Sequence, residues 1–246
     1  MTQEIHESRP TNHETMRIER VTRGGIAPAL RDLGLRPPRP VLVVVGGAGG
    51  LAEADVAPLR SLFSDGLAPL AERRGAAVID GGTDAGVMRL MGQARAQIGA
   101  SFPLIGVAPA ARVAIPGTPS LAQDTPLESH HTHLLLVPGA DWTAGARWLS
   151  QAADFLAGDA PSVTILVNGG EVAYDDTALS IQARRPVVVV AGTGRTADVL
   201  ARAADGDTSD ERATAMAASG LLRVVDIASG TDALVDVVAS LLDGRG

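Results

Sequence analysis

Four glycine-rich turns, each directly after a short apolar run, carry the chemistry that is legible in this chain of 246 residues. Residues 41–45 (Val-Leu-Val-Val-Val) lead into Gly46-Gly47-Ala48-Gly49-Gly50, and residues 77–80 (Ala-Val-Ile-Asp) into Gly81-Gly82-Thr83-Asp84-Ala85-Gly86. Residues 163–167 lead into Asn168-Gly169-Gly170, and residues 187–190 into Ala191-Gly192-Thr193-Gly194-Arg195. Glycine lets the backbone turn sharply and approach a ligand closely. Where such a turn opens a helix, its N–H groups and the helix dipole attract phosphate. Gly81, Gly82, Thr83, Gly86, Val87 and Met88 would hold a phosphate this way, with the Thr83 hydroxyl as an added donor. Gly46, Gly47 and Ala48 would form a floor for a base or ribose. Gly192, Thr193 and Gly194 offer backbone donors beside Arg195, whose forked guanidinium matches two phosphate oxygens.

Other residue types bear on catalysis and metals. Gly169 and Gly170 run into Glu171, with Asp175 and Asp176 close behind. Gly169, Gly170 and Glu171 read as ligand-binding, and Asp175 and Asp176 as ordinary helix-surface carboxylates, with Asp176 and Glu171 acting in catalysis if the protein is an enzyme. In His130-His131-Thr132-His133, a strand would put His131 and His133 on one face. With Glu128 the one carboxylate nearby and no cysteine in the chain, these histidines read as pocket lining (His133) or strand packing, and no metal is expected. Trp142, Arg147 and Trp148 stand out where aromatics make up 2% of residues. Trp142 could stack on a base with Arg147 beside it, while Trp148 reads as helix-to-sheet packing.

The elements that position these groups follow from hydrophobic pattern. The apolar runs are β-branched and do not alternate, as expected for strands buried on both faces of a parallel sheet. Strands are predicted at 41–45, 77–80, 102–108, 132–137, 163–167, 187–190 and 222–225, with a short extension at 113–115. Helices are predicted at 26–35, 55–74, 84–98, 143–156, 174–183, 195–204, 212–218 and 231–242. Their alternation predicts an α/β, Rossmann-like, doubly wound and mostly parallel sheet with helices on both faces. Residues 1–38 read as a polar tail and short leading helix, and 39–246 as a single domain. The loop 116–129 is the longest irregular stretch, and long loops in compact domains are often functional. In open α/β sheets ligands bind at the carboxyl ends of the strands, so four glycine turns on that edge describe a pocket for a phosphate-bearing small molecule.

Composition excludes several classes. The 21 cationic residues are all arginine and there is no cysteine. A lysine Schiff base to a carbonyl or to pyridoxal phosphate is therefore impossible, as are a lysine-bearing P-loop, a disulfide and a thiolate metal site. A net charge of −7 argues against nucleic-acid and anionic-membrane partners. No run approaches a membrane span and residues 1–20 lack a signal-peptide segment. A soluble, cytoplasmic protein is the expectation.

The segment 81–88, Gly-Gly-Thr-Asp-Ala-Gly-Val-Met, resembles the glycine turn of the SLOG superfamily, the group named for SMF/DprA and LONELY GUY proteins. Three further segments follow in collinear order: Pro103 to Pro109, His131 to Val137, and Arg185 to Asp198. They are similar to the branch shared with the amino-terminal region of TRPM channels. The resemblance runs from 41 to 204. It implies a nucleotide-derived ligand (ADP-ribose, NAD-related or AMP-like) with no other cofactor, and a homo-oligomer, dimer or tetramer. It also implies a sensor or ligand-binding module, because the LONELY GUY hydrolase signature is broken: Asn168 replaces its proline and Asp176 its glutamate. A nucleotide hydrolase and an oligomeric scaffold with a vestigial pocket stand as the alternatives.

Overall fold

The computed structural model describes residues 16–22, 24–47, 59–119, 121 and 124–244. Ala48, Gly49 and Gly50, and the first residues of the helix predicted at 55–74, lie outside the described residues. Eight strands form one sheet: β1 (Arg17–Arg20), β2 (Val41–Gly46), β3 (Ala77–Asp80), β4 (Leu104–Pro109), β5 (His133–Val137), β6 (Ser162–Val167), β7 (Val187–Ala191) and β8 (Leu222–Asp226). Their order is β1-β5-β4-β3-β2-β6-β7-β8, and every neighbouring pair is parallel. The sheet is of the α/β, Rossmann-like kind.

Strand β2 shows why its apolar run does not alternate. Val41, Val43 and Val45 enter the core on one face of the sheet, and Leu42 and Val44 enter the core on the other. The first core is closed by α1 (Ile26–Asp32), α4 (Trp142–Ala157), α5 (Glu171–Gln182), α6 (Arg195–Ala204) and α7 (Glu211–Ala217). The second is closed by α2 (Ala68–Arg74), α3 (Gly86–Gln97) and α8 (Gly230–Leu242). Among the described residues, no helix is long and apolar enough to cross a membrane.

Two elements differ from the sequence pattern. Arg17–Arg20 pairs with His133–Leu136 as the edge strand β1. Edge strands are commonly charged, so Arg-Ile-Glu-Arg gave no apolar run to find. Leading into α2, residues Leu62–Leu67 form a π-helix rather than a continuous α-helix. Gly66 there packs against Thr231 and Val235 of α8, and the wider turn accommodates that close approach. The region predicted as loop and short strand is held by two isolated bridges, Val113 to Thr125 and Thr83 to Leu127.

Candidate functional site

The chain leaves β2 for β3 on one side, whereas β6 enters on the other after the α4 crossover. That reversal of strand order makes the crevice at the carboxyl ends of β2 and β6 the favoured ligand position. A cavity of about 370 Å³ opens there, within the roughly 300–1,000 Å³ typical of small-molecule sites. Gly46 and Gly47 line it from β2, Gly81 and Thr83 from the turn after β3, and Gly170 to Ala173 from the start of α5. One wall is the face of α4 carrying Trp142, Gly145, Ala146 and Leu149, the i, i+3, i+4, i+7 set of a helix. Gly145 and Ala146 keep that wall low.

The amino terminus of α5 opens onto this cavity. Its N-cap, Gly170, is extended and no side chain caps the helix. The helix dipole and the first N–H groups therefore face the cavity. Arg195 stands directly over it: a Cβ added to Gly170 would lie 2.8 Å from its Nη2. Arg195 has φ 52, a left-handed conformation that costs an arginine about 1–3 kcal/mol and is retained where surrounding structure enforces it. The enforcement is visible in the two turns. Thr193 Oγ1 accepts from the Asn168 N–H at 2.7 Å, Asn168 Nδ2 donates to the Thr193 carbonyl at 2.6 Å, and Gly192 N–H donates to Asp198 Oδ1 at 2.7 Å. Thr196 Oγ1 donates to the Gly170 carbonyl at 3.1 Å. Gly169, Gly192, Thr193 and Gly194 do not line the cavity. They form the brackets that aim Arg195 into it. The Glu171 carboxylate is drawn toward Arg212, with Oε1 2.6 Å from Nη1, and Arg212 stacks 4.0 Å over Tyr174.

In the turn after β3 the N–H groups of Gly82, Asp84 and Ala85 are bonded within the protein, while the amino terminus of α3 at Gly86 carries no side-chain cap. Gly82 N–H donates to Asp80 Oδ1 at 2.7 Å, Asp84 N–H to the Pro126 carbonyl at 2.8 Å, and Ala85 N–H to the Thr83 carbonyl at 2.8 Å. Those donors are spent on the protein. Gly82, Gly86 and Val87 are not at the cavity surface, whereas Gly81, Thr83 and Met88 are. Gly82 instead permits a close backbone crossing, because its added Cβ would sit 2.9 Å from Gly106 Cα.

Behind this turn lies a buried ionic brace. His131 is 1% exposed, with Nε2 2.8 Å from Asp80 Oδ1 and Nδ1 2.8 Å from Glu128 Oε2. Only the doubly protonated ring donates at both nitrogens. Burial pushes the ring toward neutrality, but the Asp80 and Glu128 carboxylates outweigh it and raise its pKa to about 9. Burial would likewise raise Glu128, yet hydrogen bonds from His131 and His130 hold it below the usual carboxylate range. Glu128 N–H donates to the Gly82 carbonyl at 3.1 Å, so the brace fixes the glycine turn from two sides. Gly92 of α3 leaves the space that the Glu128 carboxylate fills.

Three further assignments change. Asp176 is no helix-surface carboxylate: it lines the cavity, and its Oδ1 is buried without a hydrogen-bond partner. Burial, aided by Asp175, raises its pKa to about 7. Helix α5 packs against both the sheet and α4, so a position that looks solvated by periodicity is half-buried. Arg147 is exposed and off the cavity, because five residues from Trp142 carry it round to another face of α4. His133 begins β5 at the end of the sheet away from the cavity, with Nδ1 2.7 Å from Thr132 Oγ1. The small-residue face Gly145, Ala146, Leu149 went unread, although its spacing from Trp142 was present in the sequence.

A family model described as SLOG in TRPM, prokaryote, matches residues 39–236. Among curated proteins, the mouse (Mus musculus) transient receptor potential cation channel subfamily M member 2 is 28% identical over 209 residues. That match takes in 70% of this chain and 14% of the channel, so the chain spans a small part of that relative. Among solved structures, the X-ray structure of TM1055, a structural genomics target, aligns with a TM-score of 0.52 and 22% identity over 81% of this chain and 98% of its own. That likeness is one of fold.

Proposed function

The chain belongs to the prokaryotic SLOG-in-TRPM family, and from that premise we propose that its pocket binds a phosphorylated, nucleotide-derived ligand of the ADP-ribose kind as a ligand-binding or sensing module. The observation that carries the reading is the uncapped amino terminus of α5 facing the strained Arg195 across Gly170 in one cavity. Phosphate takes that corner, where backbone N–H groups, the helix dipole and a bidentate guanidinium converge. Trp142 and Leu149 on α4 offer the apolar surface that a base or ribose face requires.

Calorimetric titration with ADP-ribose, NAD and AMP, with mass spectrometry of each mixture, tests this. The expected result is saturable binding with the ligand recovered intact. Arg195→Ala should weaken binding at least tenfold, since losing a charged hydrogen-bond partner to phosphate costs about 1.5–3 kcal/mol. Absence of binding across the panel, or full affinity in Arg195→Ala, would overturn the proposal.

One observation favours a second reading, a nucleotide hydrolase. Asp176 lies in the cavity and titrates near neutrality, which suits a general acid or base. Release of free base or ribose phosphate in the same mixtures, abolished by Asp176→Asn, would establish it.

A further inference from the structure

Asp176 sits on the cavity face of α5, four residues past Val172 and about 6 Å further along the helix axis. A phosphate held at the α5 terminus by Arg195 therefore leaves the rest of its molecule at the depth of Asp176. The cavity lining includes the apolar residues Val44, Val45, Ala146 and Leu149. Among the described residues lining the cavity, Arg195, Glu171 and Asp176 are the ionisable ones. Glu171 is paired with Arg212, Arg195 stands at the α5 terminus over Gly170, and Asp175 adds negative charge from the same helix. Asp176 Oδ1 has no hydrogen-bond partner. A buried carboxyl oxygen left so is rare, because the missing bond is costly.

Resting on the phosphate reading above, we propose that Asp176 binds the ligand as a neutral carboxylic acid, donating its proton to an oxygen of the sugar or base end, so that filling the pocket takes up one proton from solvent. Two effects act in the same direction. Burial and Asp175 already hold the carboxyl at about 7 in the empty pocket. A bound phosphate places further negative charge in the same low-dielectric space and drives the carboxyl further toward its neutral form. The neutral acid supplies the donor that an uncharged hydroxyl or carbonyl needs, whereas the carboxylate would repel the anion. Asp176 is then a specificity-determining residue: it selects a ligand whose charge lies at one end and whose other end carries neutral oxygen.

The test uses the full chain and ADP-ribose, whose diphosphate does not titrate over the range examined. Calorimetry at pH 6, 7 and 8.5, in two buffers of different ionisation enthalpy, reads affinity and protons together. The expected result is uptake of close to one proton at pH 8.5 and an affinity fall of about 30-fold between pH 6 and pH 8.5, as linkage requires for a group titrating near 7 in the free protein. Asp176→Asn keeps the shape and a donor, so it should bind within a few-fold of wild type at pH 6 and show no such fall. Binding by wild type that is equal at pH 6 and 8.5, or a pH dependence retained in Asp176→Asn, would overturn this proposal alone. No binding by either protein at any pH would overturn the phosphate reading and this one with it. Should the variant fail to fold, proton uptake by wild type decides the matter by itself.

Discussion

Replacing His131 by leucine removes both donors of the buried brace and should cost more than any surface change in this protein. The ring lies between Asp80 and Glu128, which are 0% and 2% exposed. Its loss leaves Asp80 Oδ1 without the imidazolium and Glu128 Oε2 without one of its partners. Breaking a buried ion pair from one side costs about 3–5 kcal/mol. Linkage gives a second route to the magnitude. The ring's pKa is raised from 6.5 to about 9, about 2.5 units, and each unit is worth 1.36 kcal/mol, so the wild type gains about 3 kcal/mol from its charge. Because the folded value is the higher one, that gain is complete below pH 6.5 and is lost as pH rises through 9. Guanidinium unfolding followed by circular dichroism at pH 5, 7 and 9.5 reads both effects. His131→Leu should lose about 3–5 kcal/mol at pH 7. The deficit should shrink at pH 5, where the orphaned carboxylates take up protons, and again at pH 9.5, where the wild-type ring has lost its charge. A loss below about 1 kcal/mol at pH 7, the range of an exposed pair, would refute the argument. So would a wild-type stability that stays level from pH 6.5 to 9.5.

Other substitutions separate the roles assigned above. Gly170→Ala puts a methyl 2.8 Å from the Arg195 guanidinium, and should lower phosphate affinity at least threefold with little change in melting temperature; calorimetry and a thermal melt check it. Gly92→Ala drives a methyl into the Glu128 carboxylate, and should destabilise by about 1–3 kcal/mol through overpacking, seen as a lower denaturant midpoint. Asp176→Asn should stabilise the ligand-free protein by up to about 4 kcal/mol at pH 8 and by little at pH 4. The sign follows from a folded pKa raised to about 7 above the ordinary 3.8: the charged carboxylate costs stability that its protonated form does not. Equal unfolding curves for the two proteins at pH 8 would count against the buried placement.

The sheet and its glycine turns were legible in the sequence because a doubly buried parallel strand needs an unbroken β-branched run, as at 41–45 and 187–190, and a sharp exit needs glycine. Strand β1 was not legible, since an edge strand with one apolar residue in four looks like tail. Arg195 is legible as a candidate pocket residue from its place after Gly192-Thr193-Gly194, and it lines the cavity. Trp142 lines the cavity and Arg147 does not, a separation that the helical period of α4 implies.

Sequence by itself determined the identity of the buried strands β2 to β7, the sheet edge on which the glycine turns lie, the exclusion of lysine and cysteine chemistry, and the presence of one arginine beside a glycine turn. Only the tertiary structure decided which turns reach the pocket and which N–H groups remain for a ligand. Those of Gly82 and Gly192 go to Asp80 and Asp198, and His131 is shared by carboxylates 51 and 3 residues away. The physical reason is range. Periodicity and turn chemistry are set by neighbours within a few residues, whereas the burial of Asp176 and the pairing of His131 with Asp80 depend on segments that meet only once the sheet has closed.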